Sequence, residues 1–223
     1  MEAYFDNSAT TRCYPEVAEI VVKTMTEDFG NPSAMHLKGV EAEKYIKECL
    51  KSVFIQVSEY SVLVTVVNDG STDQTSIILE NLKKLYKGSQ IDIEIINQDN
   101  KGYSGARNTA LSFIRGKYII FLDADDILPQ DTIEVMLDTA YEYDADILQG
   151  SWYTFTNEEK KEYRVKESGR KTGSQGYISG YPWGKLYKYS VLENFQFPDG
   201  YWFEDTPISF ILAALPFKCI SID

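Results

Sequence analysis

Four short segments of this sequence carry residue types that bind charged ligands or move protons. They lie at residues 67–73, 102–108, 121–126 and 201–205. The first and third come directly after apolar, β-branched runs, so each is predicted at the end of a buried strand. Folds of alternating strands and helices bind their ligands at the carboxyl ends of the strands. The spacing therefore predicts a ligand site formed by at least two strand ends.

The segment at residues 121–126 is a candidate metal site. Asp123 and Asp125 alternate with Ala124, and an extended backbone would project both carboxylates to one side. Two like charges at a strand end repel each other unless a cation neutralises them. Carboxylate oxygens suit Mg²⁺ or Mn²⁺, which keep open positions for phosphate oxygens. The alternative is a solvated acidic turn that caps the next helix, with Asp126 as its turn residue.

Two further segments fit a nucleotide. Asp69 follows a predicted strand, where a carboxylate can accept hydrogen bonds from a base or ribose; the alternative is that Gly70 simply makes a tight turn. Residues 102–108 form a glycine-rich turn at the start of a predicted helix, a position at which anions bind. Arg107, in that turn, is either a phosphate contact or the partner of a nearby carboxylate.

The fourth segment is a candidate proton acceptor. Asp205 follows a run that contains three aromatic residues. Partial burial raises the pKa of a carboxyl group and makes it a better general base. The alternative is that Asp205 caps the helix that begins at Thr206. Upstream, Trp183 is either a stacking surface for a sugar ring or a buried core side chain.

The elements that must position these residues alternate regularly along the chain. β-Branched apolar runs predict strands, and apolar residues at helical spacing predict helices between them. This order predicts an α/β fold with a mainly parallel sheet flanked by helices. The polar stretch 156–180 is predicted as a surface excursion or hairpin. The predicted strands are 61–67, 91–96, 117–122, 146–149 and 152–155, and the predicted helices are 15–29, 42–54, 71–86, 105–114, 129–143 and 206–215.

The amino-acid composition argues against some classes of protein function. The chain has 223 residues, a formal net charge of −12 and a sequence pI of about 4.6, which argues against a protein that coats nucleic acid. It contains one histidine, His36, and three widely spaced cysteines without a CxxC pair, so a zinc ribbon is excluded. The sequence also shows no signal peptide and no apolar stretch long enough for a membrane span.

Residues 42–223 resemble family 2 glycosyltransferases of the GT-A fold, which build bacterial surface polysaccharides. Six segments in a fixed order carry the resemblance, which covers about four fifths of the chain. They are AEKYIKECLKS at 42–52, VNDGSTD at 67–73, NKGYSGARN at 100–108, GKYIIFLDADD at 116–126, WGKLY at 183–187 and FED at 203–205.

The resemblance implies a residue-by-residue assignment. Asp69 would contact the base of a nucleotide sugar, Asp123 would lie near the ribose, and Asp125 would bind the divalent metal that bridges the diphosphate. Arg107 would also belong to the nucleotide-sugar site. Asp205 would be the catalytic base that deprotonates the acceptor hydroxyl. The acceptor side would be shaped by Trp183, Lys185 and Glu204.

The resemblance also implies an activity and its setting. The expected reaction moves a sugar, with inversion, from a nucleotide-sugar donor, most simply a UDP-sugar, to a hydroxyl of a saccharide or lipid-linked saccharide. The expected cofactor is Mn²⁺ or Mg²⁺, and no nucleic-acid partner is expected. The expected location is the cytoplasm, including peripheral association with the inner face of the membrane.

Residues 1–41 resemble a different family. The segments YFDNSATT at 4–11 and FGNPSAMH at 29–36 are similar to the N-terminus of a cysteine desulfurase, a class V aminotransferase. The resemblance predicts two units, 1–41 and 42–223, of which the second lacks the strand that opens family 2 glycosyltransferases. Two alternatives to an active glycosyltransferase therefore stay open: a catalytically impaired chimeric or misassembled chain, and a fragment of a pyridoxal-phosphate-dependent desulfurase.

Overall fold

The computed structural model describes residues 37–89, 91–155, 160–163, 168–172, 178–200 and 205–223. Nearly all of the desulfurase-like segment lies outside these residues, as do its predicted helix at 15–29 and Glu204. No helix in the described ranges is both long and apolar enough to cross a membrane.

Six helices are described. The first begins five residues before its predicted start, and its last two turns bury Cys49, Leu50 and Val53, which lie on one face because residues three and four apart are neighbours on a helix. The predicted helix 206–215 is shorter than expected and continues as a 3₁₀ turn. The helices are α1 (Leu37–Phe54), α2 (Thr75–Leu85), α3 (Gly102–Ser112), α4 (Thr132–Tyr143), α5 (Tyr189–Leu192) and α6 (Thr206–Phe210), and the 3₁₀ turn is Leu212–Ala214.

The described strands follow the predicted order, and all five predicted strands are present. The excursion at 156–180 contributes one strand to a hairpin and another to the main sheet. The strands are β1 (Val62–Asp69), β2 (Ile91–Gln98), β3 (Tyr118–Ile120), β4 (Ile147–Gln149), β5 (Trp152–Phe155), β6 (Lys160–Tyr163), β7 (Ser168–Thr172), β8 (Lys185–Lys188) and β9 (Lys218–Ser221).

The strands form two separate groups and a hairpin. β1 and β2 pair in parallel, with Val62 opposite Ile91 and Asp69 opposite Gln98. The larger sheet has the order β3-β8-β4-β9-β7. Within it only β4 and β9 run parallel, and the other three pairs are antiparallel. The arrangement is therefore an α/β fold with one parallel pair and one mixed sheet.

The apolar core is centred on β4 and β8, two of the three strands that have neighbours on both sides. Leu148 of β4 and Leu186 of β8 pack against α4, while Ile147 and Tyr187 point into a second cluster around Phe197. All five side chains are at most 2 % exposed. Full burial of a large apolar side chain stabilises a fold by about 1.5–3 kcal/mol, so this half of the molecule is its best-packed part.

β1 is less buried than its sequence predicts. Its run of valines and leucine is typical of a central strand covered on both faces, yet Leu63 is 40 % exposed and Asn68 is its only buried residue. Among the described strands, β1 pairs only with β2, and β3 pairs only with β8. Within the described residues, no strand pairs with the other edge of β1 or of β3.

Candidate active site

Asp69, the last residue of β1, forms hydrogen bonds to β2 and to the residue before α3. Its Oδ1 accepts a hydrogen bond of 2.6 Å from Gln98 Nε2 of β2 and another of 2.9 Å from the backbone N–H of Lys101. Thr109 Oγ1 of α3 in turn donates to Gln98 Oε1 over 2.6 Å. The sequence analysis missed Gln98 and Thr109, because a glutamine at a strand end and a threonine within a helix carry no motif signal on their own.

The turn after Asp69 requires glycine. Gly70 has φ of 75°, and a β-carbon added there would lie 2.8 Å from the backbone nitrogen of Asn100. Both the backbone conformation and the close approach disfavour a larger residue. The tight turn predicted for this segment is confirmed. It brings the loop at Asn100 against the end of β1 and so shapes the rim of the site.

The acidic segment after β3 is a turn, which corrects the predicted geometry. The strand ends at Ile120, earlier than predicted, and the backbone N–H of Asp126 donates to the carbonyl of Asp123 over 3.0 Å. The carboxylates of Asp123 and Asp125 therefore do not alternate along an extended strand, because the chain has already begun to turn. Asp125 is exposed on this turn, whereas Asp123 is half-buried.

Arg107 of α3 reaches this turn. Its Nη2 donates to Asp123 Oδ1 over 3.0 Å, and its guanidinium lies 5.5 Å from the centre of the Phe197 ring. The Arg107 side chain is 13 % exposed and the Asp123 side chain 37 % exposed. Of the two roles open for Arg107, the structure confirms that of a carboxylate partner. Through Lys101 and Arg107, one helix contacts the ends of both β1 and β3.

The acidic turn carries a concentrated negative charge. Burial, with the charges of Asp123 and Asp125 adding to it, raises the pKa of Asp126 to about 6. Burial and the same three aspartates raise the pKa of the Cys49 thiol of α1 to about 12. The side chains of the described residues form no cluster of three or more metal ligands. The hard oxygen donors of this turn nevertheless suit a divalent cation that takes its remaining ligands from a phosphate.

Asp205 occupies the N-cap position of α6. Its backbone carbonyl accepts a hydrogen bond of 2.9 Å from the Ile208 N–H, but its side chain makes no capping hydrogen bond to the helix. The carboxylate is half-buried. Helix capping by the carboxylate, the alternative role weighed for this residue, is thus not observed. Glu204 lies outside the described residues.

Trp183 belongs to an aromatic group beside β3. Its ring stacks on Tyr181 at 4.7 Å and 10°, and meets Trp152 edge-on at 5.7 Å. A backbone bridge joins Trp183 to Phe121, the residue that leads from β3 to the acidic turn. Tyr181 is 46 % exposed, so the aromatic group of Trp152, Tyr181 and Trp183 is accessible from solvent, and its link to Phe121 lies two residues before Asp123.

Lys185 has a different position from the one expected for an acceptor contact. Its side chain is fully buried in β8, and Nζ donates over 2.6 Å to both Ser179 Oγ and the Tyr181 carbonyl. Burial lowers the pKa of Lys185 to about 7. Because its ammonium group donates a hydrogen bond to the backbone carbonyl of Tyr181, Lys185 holds the loop that carries Tyr181 and makes no contact with solvent itself. The role of Ser179 in this contact was not apparent from the sequence.

Comparison with known proteins agrees with this architecture. The profile of "Glycosyl transferase family 2" matches residues 40–203. Glycosyltransferase GlyA of Streptococcus pneumoniae serotype 4 is 34% identical over 73% of this chain and 25% of its own length. Putative glycosyltransferase EpsH of Bacillus subtilis is 30% identical over 68% of this chain and 45% of its own. The chain thus spans less than half the length of either relative.

Solved structures show the same fold. S. aureus TarS 1–349, in its complex with UDP-GlcNAc, superposes with a TM-score of 0.62 at 22% identity, over 82% of this chain and 56% of that one. These relatives and neighbours give no support to a pyridoxal-phosphate enzyme or to an impaired chimera. The match across most of the chain, together with the ordered segments on a GT-A fold, shows that this chain belongs to glycosyl transferase family 2.

Proposed function

We propose that the chain transfers a sugar from a UDP-sugar to a hydroxyl group of a saccharide acceptor, with inversion at the anomeric carbon. The observation that carries the proposal is the connection of Asp69 and Asp123 through α3, which brings two strand ends to one edge. Structures of S. aureus TarS with UDP and with UDP-GlcNAc support the nucleotide class. The acceptor class is supported by relatives that include chondroitin synthase of Pasteurella multocida, 36% identical over 47% of this chain.

The nucleotide would lie along this edge. Asp69 has one oxygen occupied by Gln98 and Lys101, and its second oxygen would accept a hydrogen bond from the base. Asp123, held by Arg107, would accept from a ribose hydroxyl. Asp125, exposed on the turn, would bind Mn²⁺ or Mg²⁺. When bound, that cation supplies positive charge to the diphosphate leaving group.

Asp205 would act as the base. Its side chain makes no capping hydrogen bond to α6, so its carboxylate can accept a proton from the acceptor hydroxyl as that oxygen attacks the anomeric carbon. Carboxylates that act in this way need to be within hydrogen-bonding reach of the attacking group. No covalent sugar–enzyme intermediate is needed, because attack and departure take place on opposite faces of the sugar.

The acceptor would lie against the aromatic group of Trp152, Tyr181 and Trp183. Sugar rings have apolar faces that pack on aromatic side chains, and the polar edges of tyrosine and tryptophan remain available for hydrogen bonds. Lys185 would position this group through the carbonyl of Tyr181 without contacting the acceptor. Glu204, which we assign to the acceptor side from the resemblance, completes this set.

A lipid-linked acceptor at a membrane surface is the form of substrate that we favour. Three large apolar side chains are exposed directly after Asp205, namely Phe210 at 75 %, Ile211 at 54 % and Leu215 at 41 %. Where such side chains form one contiguous patch, they mark contacts with partners or lipid. We place the reaction in the cytoplasm, with peripheral contact at the inner face of the membrane.

Nucleotide binding tests the proposal directly. Isothermal titration of the full chain with UDP, GDP, CDP and dTDP, each with and without Mn²⁺, is expected to show Mn²⁺-dependent binding of UDP. Asp125→Asn should abolish the Mn²⁺ dependence, whereas Asp131→Asn, which removes another exposed carboxylate at the start of α4, should not. Absence of Mn²⁺-dependent binding for every nucleotide would overturn the proposal.

A further inference from the structure

Asn108 of α3 binds a distant part of the chain through both polar atoms of its side-chain amide. Its Nδ2 donates to the Phe197 carbonyl over 2.9 Å, and its Oδ1 accepts a hydrogen bond of 2.8 Å from the Phe197 N–H. Nδ2 also donates to Asp199 Oδ1 over 3.3 Å. Ser104, one turn earlier on the same helix, donates from its Oγ to the Pro198 carbonyl over 2.6 Å. Two side chains of α3 thus fix three consecutive residues to this helix.

The pairing of Asn108 with Phe197 depends on the amide group. A side-chain amide carries a donor and an acceptor next to each other, so one residue can bind a carbonyl and an N–H at the same time. Phe197 is 2 % exposed, and a buried backbone group that loses its partner destabilises the fold. Asn108 therefore determines where Phe197 lies relative to α3.

The Phe197 ring contacts the donor side of the site. The guanidinium of Arg107, which binds Asp123, lies 5.5 Å from the centre of this ring. The ring of Phe121, two residues before Asp123, meets it edge-on at 5.5 Å. The position of Phe197 is therefore defined relative to the turn that carries the proposed nucleotide carboxylate.

The same buried cluster includes residues that follow Asp205. Ile208 of α6 and Leu212 of the 3₁₀ turn are 0 % and 2 % exposed and belong to the apolar cluster that contains Phe197. The Asp205 carbonyl accepts a hydrogen bond of 2.9 Å from the Ile208 N–H. Because close-packed interiors transmit the displacement of one side chain to its neighbours, the position of Phe197 affects the turn that carries Asp205.

We propose that Asn108 is a positioning residue for sugar transfer, which fixes Phe197 and, through the shared cluster, holds the Asp205 carboxylate in place against the donor side. The inference rests on the proposed role of Asp205 as the base. A general base acts only within hydrogen-bonding reach of the group that it deprotonates, and a misplacement of about 1 Å can cost about 10²-fold in rate. A small shift of Phe197 would therefore slow the reaction.

Nucleotide binding should not depend on Asn108. The Asp69 carboxylate is bound by the backbone N–H of Lys101. The Asp123 carboxylate is bound by Arg107. Neither of these hydrogen bonds uses Asn108, so its replacement should slow sugar transfer and leave the affinity for UDP unchanged.

Carboxyl NMR of the full chain reports on Asp205 without any need for activity. In protein labelled with ¹³C at the side-chain carboxyl of aspartate, Asp205→Asn identifies the Asp205 signal by its loss. Asn108→Ser leaves the net charge unchanged, so a moved signal reports a displacement. We expect the signal to move in Asn108→Ser and to stay in place in Asn81→Ser, a matched change at an exposed position of α2. An Asp205 signal that stays in place in Asn108→Ser would overturn the proposal.

Kinetics separate positioning from a general loss of structure. The probe is UDP-GlcNAc with water as the acceptor. The water oxygen bonds to the anomeric carbon, its proton passes to Asp205, and UDP leaves with the electron pair of the broken bond. We expect kcat for UDP release to fall about tenfold in Asn108→Ser, with the calorimetric affinity for UDP unchanged. Equal losses of kcat and of UDP affinity would show a general structural role and would overturn the proposal.

A second variant tests the route through Phe197. Phe197→Leu removes the ring but retains the backbone groups that Asn108 binds. Residues that act through one contact have non-additive effects, so the double variant with Asn108→Ser should move the Asp205 signal no further than Phe197→Leu alone. Additive movements of the signal would show that Asn108 does not act through the Phe197 ring and would overturn the proposed route.

Failure of the proposed function gives a different result. A wild-type chain that binds no nucleotide, with or without Mn²⁺, would overturn the proposed sugar transfer, and the Asp205 signal would then decide alone whether Asn108 positions this residue. The same signal decides if the wild type binds UDP but releases none from UDP-GlcNAc. If Asn108→Ser does not fold, Asn108→Asp replaces it, since it retains the acceptor for the Phe197 N–H, with Asn81→Asp as its control.

Discussion

Arg107 and Asp123 form an ion pair of 3.0 Å that ties α3 to the turn after β3. The arginine is more buried than the aspartate, and its guanidinium also lies over the Phe197 ring. A charge in this position is stabilised mainly by its partner, because little water reaches it. The pair therefore has a structural role as well as the nucleotide role that we propose for it.

A double-mutant cycle of Arg107 and Asp123 should measure how much their ion pair contributes to stability. Arg107→Met and Asp123→Asn, alone and combined, are expected to show a coupling energy of about 1 kcal/mol in urea unfolding, since Asp123 is partly solvated and screening reduces the interaction. Additive effects of the two substitutions would show that the ion pair contributes nothing to stability. Glu142→Gln on α4, which alters an exposed side chain, serves as a control for the loss of one acidic charge.

Asp69 should affect nucleotide binding without affecting the fold. Asp69→Asn retains the Oδ1 acceptor for Gln98 and Lys101, so we expect the free energy of unfolding to change by less than about 0.5 kcal/mol. UDP affinity should fall about tenfold, as for the loss of one charge-assisted hydrogen bond. Calorimetry gives both values, and Asp92→Asn, which alters an exposed aspartate of β2, is the control.

The residue pattern predicted most elements because strand and helix periods are local properties. The runs before Asp69 and Asp123 identified β1 and β3, and the order of elements identified an α/β fold. The predicted geometry of the segment after Ile120 was wrong. Side chains alternate in direction only along an extended backbone, and the backbone here turns, because the Asp126 N–H donates to the Asp123 carbonyl.

Two other features depend on contacts between distant residues and could not be predicted locally. Lys185 is buried because Ser179 and two loop carbonyls supply oxygen ligands for its ammonium group, and nothing in the residue itself signals that. β1 has the composition of a covered strand, but composition shows only that a strand suits burial. Whether a neighbour covers it depends on another part of the chain.

Lys185 should make stability depend on pH in a defined direction. Its pKa is about 7 in the folded chain against an ordinary 10.5, so between these values the unfolded state binds more protons. The contribution of Lys185 to the free energy of unfolding is therefore lowest below pH 7 and rises as the pH increases toward 10.5. Relative to Lys185→Met, the wild-type Tm should be a few degrees higher at about pH 9 than at about pH 6.

A second lysine tests whether burial of Lys185 causes the pH dependence of the Tm difference. Lys83, exposed on α2, should show no pH-dependent difference when replaced by methionine. A Tm difference for Lys185→Met that stays constant from about pH 6 to about pH 9 would mean that the buried ammonium group does not lose its proton in this range.

Gly70 offers a direct measure of the close approach that shapes the end of β1. Gly70 and Gly88 both have positive φ, 75° and 85°, but a β-carbon at Gly70 would lie 2.8 Å from Asn100 N whereas one at Gly88 would meet nothing within 4 Å. Gly88→Ala should therefore cost only the conformational term, about 1–2 kcal/mol. Gly70→Ala should cost about 1–3 kcal/mol more in urea unfolding, because the loop at Asn100 must move away from Asp69.

UDP affinity should fall in Gly70→Ala and stay unchanged in Gly88→Ala. Equal losses of stability in the two variants would show that the loop yields freely and that the contact with Asn100 does not shape the site.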